Sequence, residues 1–193
     1  MKKIIFASIV LLSAQSLNAL YTINDRYLVG FSLGYSMPKG GTWAKQYKEA
    51  MSFSLNVEKP RNEEHAVGIE IGYDFGHKHK IITNCRPRIL YISPYFKEIK
   101  NFKNVDLFAS LGVGLYHRWT PAYTDNFTGV KYSTSWSGKL GANFAFGAVY
   151  AVGNNFSLSG GLKLHYIRHF IGTPAITSAT NLTPFLMIQK RFE

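Results

Sequence analysis

The sequence predicts an all-β fold: an eight-stranded antiparallel up-and-down transmembrane β-barrel with short turns at one end and longer loops at the other. Three observations predict it. Apolar residues alternate with a period of two from about Tyr27 to Phe192, the signature of strands with one apolar and one polar face. An export signal precedes that pattern. No apolar run approaches the ~20 residues that a membrane-crossing helix needs, so insertion has to use strands closed on themselves.

Residues 1–19 have the three parts of a secretory signal: Lys2 and Lys3, the apolar run Ile4 to Ala14, and Leu17-Asn18-Ala19, with cleavage expected after Ala19. Residues 20–193 form one barrel domain. The first strand is expected over 26–37, with Tyr27, Val29, Phe31, Leu33, Tyr35 and Met37 on the apolar parity against Leu28, Gly30, Ser32, Gly34 and Ser36. The second, 50–58, opposes Met51, Phe53, Leu55 and Val57 to Ser52, Ser54, Asn56 and Glu58. The third, 65–76, opposes Val67, Ile69, Ile71, Tyr73 and Phe75 to Ala66, Gly68, Glu70, Gly72 and Asp74. The fourth, 87–97, is the weakest, because Ile89-Leu90-Tyr91-Ile92 blurs the parity and Pro94 lacks a ladder donor.

The fifth strand, 104–117, alternates Val105, Leu107, Ala109, Leu111, Val113 and Leu115 with Asp106, Phe108, Ser110, Gly112, Gly114 and Tyr116. The sixth, 135–150, places Leu140, Ala142, Phe144, Phe146, Ala148 and Tyr150 opposite Lys139, Gly141, Asn143, Ala145 and Gly147. The seventh, 154–168, opposes Phe156, Leu158, Gly160, Leu162, Leu164 and Tyr166 to Ser157, Ser159, Gly161, Lys163, His165 and Ile167. The eighth, 181–192, closes the chain. Turns at 59–64, 98–103 and 151–153 are shorter than the loops at 38–49, 77–86, 118–134 and 169–180, the asymmetry of periplasmic turns and extracellular loops.

The formal charge of +11 falls to +9 without the signal. Lys and Arg exceed Asp and Glu by two, four, one and one over 38–49, 77–88, 117–134 and 168–180, so eight of those nine charges gather at the loop end. Export argues against nucleic acid as their partner. They suit the phosphates of lipopolysaccharide or an anionic host or surface polymer, or simply a solvated rim. A single cysteine, Cys85, excludes an internal disulfide framework.

On these features the chain resembles the small outer-membrane β-barrel superfamily of Gram-negative bacteria. Its nearest look-alikes are the transmembrane domain of outer-membrane protein A and the OmpX/Ail and opacity-type surface proteins. Leu182-Thr-Pro-Phe-Leu-Met-Ile-Gln-Lys-Arg-Phe192 resembles the family's C-terminal assembly signal, carried here by Leu186, Ile188 and Phe192, although Lys190 and the trailing Glu193 depart from it. The resemblance implies an outer-membrane location with loops at the cell surface, contact with membrane lipid and lipopolysaccharide, insertion by the barrel-assembly machinery, and a monomer. The family spans adhesins, resistance factors, conduits and structural barrels, so it leaves the particular role open.

Glu70, Asp74, Lys139, Lys163 and His165 fall on the lumen parity and are expected to form an ionic plug, since unpaired charges in so narrow a space are costly. At the loop end, Lys78, Lys80, Arg86, Arg118, Trp119, Tyr123 and Lys131 are candidate recognition residues, with Phe127 and Tyr132 beside them. His77-Lys78-His79-Lys80 offers imidazoles at metal-binding spacing, but the lysines oppose a cation; no metal or cofactor is expected. No His is followed two residues later by Ser, as in barrel lipid A deacylases, and no nucleophile elbow or phosphate loop occurs. The reading is a non-enzymatic surface protein, with a narrow channel as the main alternative. A soluble lipocalin, suggested by Gly41-Thr42-Trp43, is the other.

Overall fold

A computed structural model describes residues 27–102, 105–152, 155–168 and 178–192. The expected signal segment with Ala19, and the 169–177 connection with His169, lie outside the described residues. Eight long strands form a closed barrel: β1 (Tyr27–Lys39), β2 (Ala50–Pro60), β3 (His65–Asp74), β4 (Arg88–Lys100), β5 (Asp106–Thr120), β8 (Ser135–Val152), β9 (Phe156–Arg168) and β10 (Ser178–Phe192). Each pairs antiparallel with its sequence neighbour, and β1 pairs with β10 from Tyr27↔Phe192 to Lys39↔Thr180. Between β5 and β8 a small hairpin of β6 (Tyr123–Thr124) and β7 (Lys131–Tyr132) projects from the loop end.

The strands stand within a few residues of their expected bounds. Two elements escaped the sequence: helix α1 (Gly41–Gln46) in the first loop, and the β6–β7 hairpin. Both are shorter than the window over which a periodic pattern becomes recognisable.

Alternation is realised as inside and outside. On β1, Val29, Phe31, Leu33 and Tyr35 are exposed while Ser32 and Ser36 are buried. The exterior is apolar around the ring, from Leu55 on β2 and Ile71 on β3 to Leu111 on β5, Phe144 on β8, Leu164 on β9 and Leu186 on β10. Leu111 at 62% and Leu186 at 74% exposure show that no other described part of this chain covers the belt at these points. A continuous apolar exterior around polar interior positions is the inverse of a soluble protein and the requirement of a barrel in lipid. The same polarity removes the lipocalin alternative, whose lumen would be the apolar side.

The fourth strand resolves plainly: Ile89, Tyr91, Ser93 and Lys97 are buried, while Leu90, Ile92 and Phe96 face out. Its parity looked blurred because tyrosines, read as apolar, point inward. Their rings fill space that glycines on β3 leave open. A Cβ on Gly72 would stand 2.2 Å from the Tyr91 ring, and one on Gly68 2.6 Å from Tyr95. Tyr91 and Tyr95 lie directly across the ladder from these glycines. Pro94 pairs across to Ile69, and the β4–β5 register is interrupted only at Ser93 and Pro94.

Leu111→Arg, placing a charge on the lipid-facing wall, is expected to lower stability in bilayers by about 2–4 kcal/mol. Urea unfolding in lipid vesicles measures it; an unchanged midpoint would mean that this wall does not meet lipid.

Candidate functional site

The lumen is filled by three polar layers. Nearest the turns, Lys97 Nζ lies 2.9 Å from Glu58 Oε2, and the Tyr95 hydroxyl donates to Glu58 Oε1 at 2.7 Å. At mid-height Lys163 forms an ion pair with Glu70, which also accepts from the Tyr91 hydroxyl at 3.0 Å. Beside this pair the Tyr116 hydroxyl and His165 Nδ1 are 2.9 Å apart, and Asn143 Nδ2 donates to Ser93 Oγ at 2.6 Å. Phe108, Ala145, Phe185 and Met187 add an apolar cluster, over whose rings the Lys97 and Lys163 ammoniums rest. Phe108 thus serves the interior although its neighbours on that parity are small or polar.

Nearest the loops, Asp74 accepts from Ser36 Oγ at 2.9 Å and from Asn181 Nδ2 at 3.4 Å, and lies 3.1 Å from His77 Nε2. Asn181 Oδ1 accepts the Trp43 indole N–H at 2.8 Å. His77 Nδ1 donates to the Lys48 carbonyl at 2.9 Å. One network therefore ties β1, β3 and β10 to the first two loops. Helix α1 delivers Trp43, 1% exposed, into the barrel mouth, where it packs against Tyr47 and His77. Trp43, Tyr47, Cys85, Ile89, Tyr91, Tyr116 and Ile167 form one buried cluster that stops the mouth.

Of the five expected lumen charges, Glu70 and Lys163 meet. Asp74 turns to Ser36, Asn181 and His77, and His165 to Tyr116. Lys139 instead lines a recess in the mouth with Arg118, Trp43 and Tyr116. The Glu58–Lys97 pair is hidden in the sequence because Lys97 sits at the end of the strand whose parity is blurred, although Glu58 falls on the polar parity.

The loop candidates divide. Lys78, Lys80, Arg86 and Lys131 are exposed. Arg118 and Trp119 belong to β5 rather than to a loop. Arg118 leans over Trp43 at 6.0 Å in the mouth, while Trp119 stacks on Trp136 across the outer wall with Arg88 above it. Tyr123 stacks on Tyr132 in the hairpin, whose tip carries Phe127 at 73% exposure. Leu186, Ile188 and Phe192 point outward, and Lys190 lies over the Phe156 and Phe192 rings at the turn end.

Among the described loop residues, His77 and His79 have structural occupations. His77 is fully buried in the Asp74 network, and His79 Nδ1 accepts the Ile81 and Ile82 backbone N–H groups. Burial holds the His79 imidazole below its ordinary range, against the pull of Asp125. Among the described residues no group of three or more His, Cys, Asp or Glu side chains is placed to hold a metal. Burial also pushes the Cys85 thiol up, against hydrogen bonding with Tyr47 and Tyr123 and the nearby Arg118 guanidinium. Tyr47 rises to about 12, through burial first and then the neighbouring Cys85.

A closed barrel with an apolar exterior and a packed polar lumen is a transmembrane β-barrel. Its fold is that of the small outer-membrane barrels. Neisserial surface protein A superposes with a TM-score of 0.62 at 13% identity, over 88% of this chain and 98% of that one. The N-terminal barrel of Pseudomonas aeruginosa OprF gives 0.53 at 14% identity, over 86% and 97%. Yersinia pestis Ail, solved with the heparin analogue sucrose octasulfate, gives 0.51 at 15%, over 86% and 97%. No protein-family model and no curated protein matches the chain by sequence.

Glu70→Gln is expected to destabilise the barrel by about 3 kcal/mol, because it strands the buried Lys163 ammonium. Adding Lys163→Met should restore most of the loss; urea midpoints of the two variants that match would mean that the pair is not coupled. At the mouth, Cys85 should react slowly with a maleimide at neutral pH in the folded protein and markedly faster in Trp43→Ala. Equal rates would show that Trp43 does not seal the thiol.

Proposed function

We propose that this protein is a non-enzymatic surface barrel of the outer membrane of a Gram-negative bacterium, and that its basic loop end recognises an anionic polymer. The observation that carries the reading is the separation of charge between interior and rim. Lumen charges are largely spent on one another in the Glu58–Lys97 and Glu70–Lys163 pairs. Lys45, Lys48, Lys78, Lys80, Arg86 and Lys131 stand exposed on the loop side. Clustered cations of this kind attract and retain a polyanion, while a packed barrel supplies only a rigid anchor.

The polysulfate bound to Yersinia pestis Ail supports the reading, as a ligand held by a barrel of this fold. The filled lumen speaks against the channel alternative, since three hydrogen-bonded layers and the Trp43 plug lie across the axis. In this reading the chain is cleaved after Ala19, inserted through its Leu186, Ile188 and Phe192 strand by the assembly machinery, and monomeric among lipid and lipopolysaccharide. The exposed aromatics Phe127 and Tyr132 supply apolar contact beside the lysines.

The test is retention on heparin by the protein in nanodiscs of zwitterionic lipid. Wild type should be retained and released by salt, because exposed charges are screened within about 10 Å at 0.1 M ionic strength. Combining Lys78→Gln, Lys80→Gln, Arg86→Gln and Lys131→Gln should weaken binding by about tenfold or more, as expected when several phosphate- or sulfate-facing cations are lost. Undiminished retention of the quadruple variant would sink the proposal.

A further inference from the structure

We propose that the outer wall at the loop end, along the row Arg88, Trp119 and Trp136, binds the phosphate of one anionic lipid of the surrounding leaflet. This site presupposes the outer-membrane reading above, but not recognition of a polyanion by the loops. Three strands build the row: Trp119 of β5 lies opposite Arg88 of β4 on one side and Trp136 of β8 on the other. The two indoles are stacked, with centroids 5.1 Å apart and planes 2° from parallel. The Arg88 guanidinium carbon lies 4.7 Å from the centre of the Trp119 ring. Trp136 itself is 61% exposed.

The height of the row is that of a headgroup. On the outer wall β5 presents Leu107, Leu111 and Leu115. From Leu107 to Trp119 a strand rising about 3.4 Å per residue at a tilt of about 40° climbs roughly 31 Å. The apolar band of such a barrel is about 25 Å tall, so Trp119 stands just past its edge. Tryptophans at that depth are ordinary interface anchors. An anchor alone does not account for the arginine. Arg88 shares the outward parity of Leu90, while Ile89 between them is buried. Among the described residues Arg88 makes no ion pair, and neither its Nε–H nor the Trp119 indole N–H has an acceptor.

A second cation stands beside the first. A Cβ on Gly76 would lie 3.5 Å from Arg88 Cγ and 3.6 Å from Arg86 Cβ, so both arginine stems flank one glycine, and Arg86 is exposed. No Asp or Glu occurs in 88–93, 114–120 or 135–144, the loop-ward parts of the three strands. Two guanidinium groups and two unanswered donors at headgroup depth favour an oxyanion, and the guanidinium fork suits a phosphate. Below the row, Leu90, Ile92 and Leu115 offer acyl chains an exposed apolar wall. Gly138, exposed and opposite His117, leaves a gap beneath Trp136, with no heavy atom within 4 Å of where its Cβ would stand. A free ion gains nothing from that wall. A lipid gains from both parts, by charge at its phosphate and by burial of its chains.

The experiment replaces part of the phosphatidylcholine with phosphatidic acid in nanodiscs that carry the whole barrel. It follows the ¹H–¹⁵N signal of the Trp119 indole, assigned by its loss in Trp119→Phe. A shift that saturates at a low mole fraction of phosphatidic acid is expected. In Arg88→Gln half-saturation should move about tenfold higher, as for the loss of a hydrogen bond to a charged group. A wild-type shift that stays linear in phosphatidic acid, or one that saturates equally in Arg88→Gln, overturns the proposal. Equal saturation by inorganic phosphate in discs of phosphatidylcholine alone also overturns it, since the ligand would then be a free ion. Broadening of the Leu111 amide signal by a chain-spin-labelled lipid in the same discs tests the membrane reading separately. Without that broadening both readings fall; with it, a failed titration removes the lipid site alone. The wild-type titration decides by itself if Arg88→Gln does not fold.

Discussion

The pairing of β1 with β10 is the interaction on which everything else depends. It runs from Tyr27↔Phe192 to Lys39↔Thr180 and joins the first strand to the last. Without it the sheet would present two rows of unpaired N–H and C=O groups to lipid, each costing several kcal/mol. With it the ring closes at eight strands, and that number fixes the width of the lumen. Closure thus dictates that the inside be filled rather than open, and that any charge inside find a partner at short range.

Filling is achieved by complementarity across neighbouring strands. Glycines on β3 leave troughs that Tyr91 and Tyr95 of β4 occupy, and the freed hydroxyls reach Glu70 and Glu58. Each tyrosine therefore supplies volume to the lumen and a hydrogen bond to a buried carboxylate. The lysine partners come from further round: Lys97 from β4 itself, Lys163 from β9 across the axis. Buried ion pairs of this kind add little net stability compared with an apolar filling, but a single broken partner is severely penalised. Their value here is that they fix which side chains may meet inside the ring.

The fold was legible because the lipid imposes a period of two on nearly every strand, and a sequence records that directly. Strand 4 was hard to read for a physical reason: tyrosine is apolar enough to suit the exterior yet carries a hydroxyl that suits the lumen. The site was legible only in part. Glu70 and Lys163 announced themselves as lone charges on a polar parity. The Asp74 partners did not, because His77 and the Lys48 carbonyl come from loops and Trp43 from a six-residue helix. Loops carry no periodicity, so their return into the mouth leaves no local trace. Arg118 and Trp119 are adjacent in sequence, and the pleat sends one into the mouth and the other onto the outer wall.

The two ends of the barrel face different demands, and the residues reflect this. At the turn end the chain needs only to reverse direction, and Lys190 lying over Phe156 and Phe192 shows how a cation can sit on an aromatic anchor at the interface. At the loop end the mouth has to be stopped without a covalent clasp, since Cys85 is the sole cysteine. Trp43 does this with its ring among Tyr47 and His77 and its N–H on Asn181. The plug thereby rests on one hydrogen-bonded chain, Trp43 to Asn181 to Asp74 to His77 to the Lys48 carbonyl, which begins and ends on the same loop. The first loop is thus fastened to the barrel wall through Asn181 and Asp74, and to His77 of the next loop. A surface that recognises a partner gains from such order, because little conformational entropy is left to lose on binding.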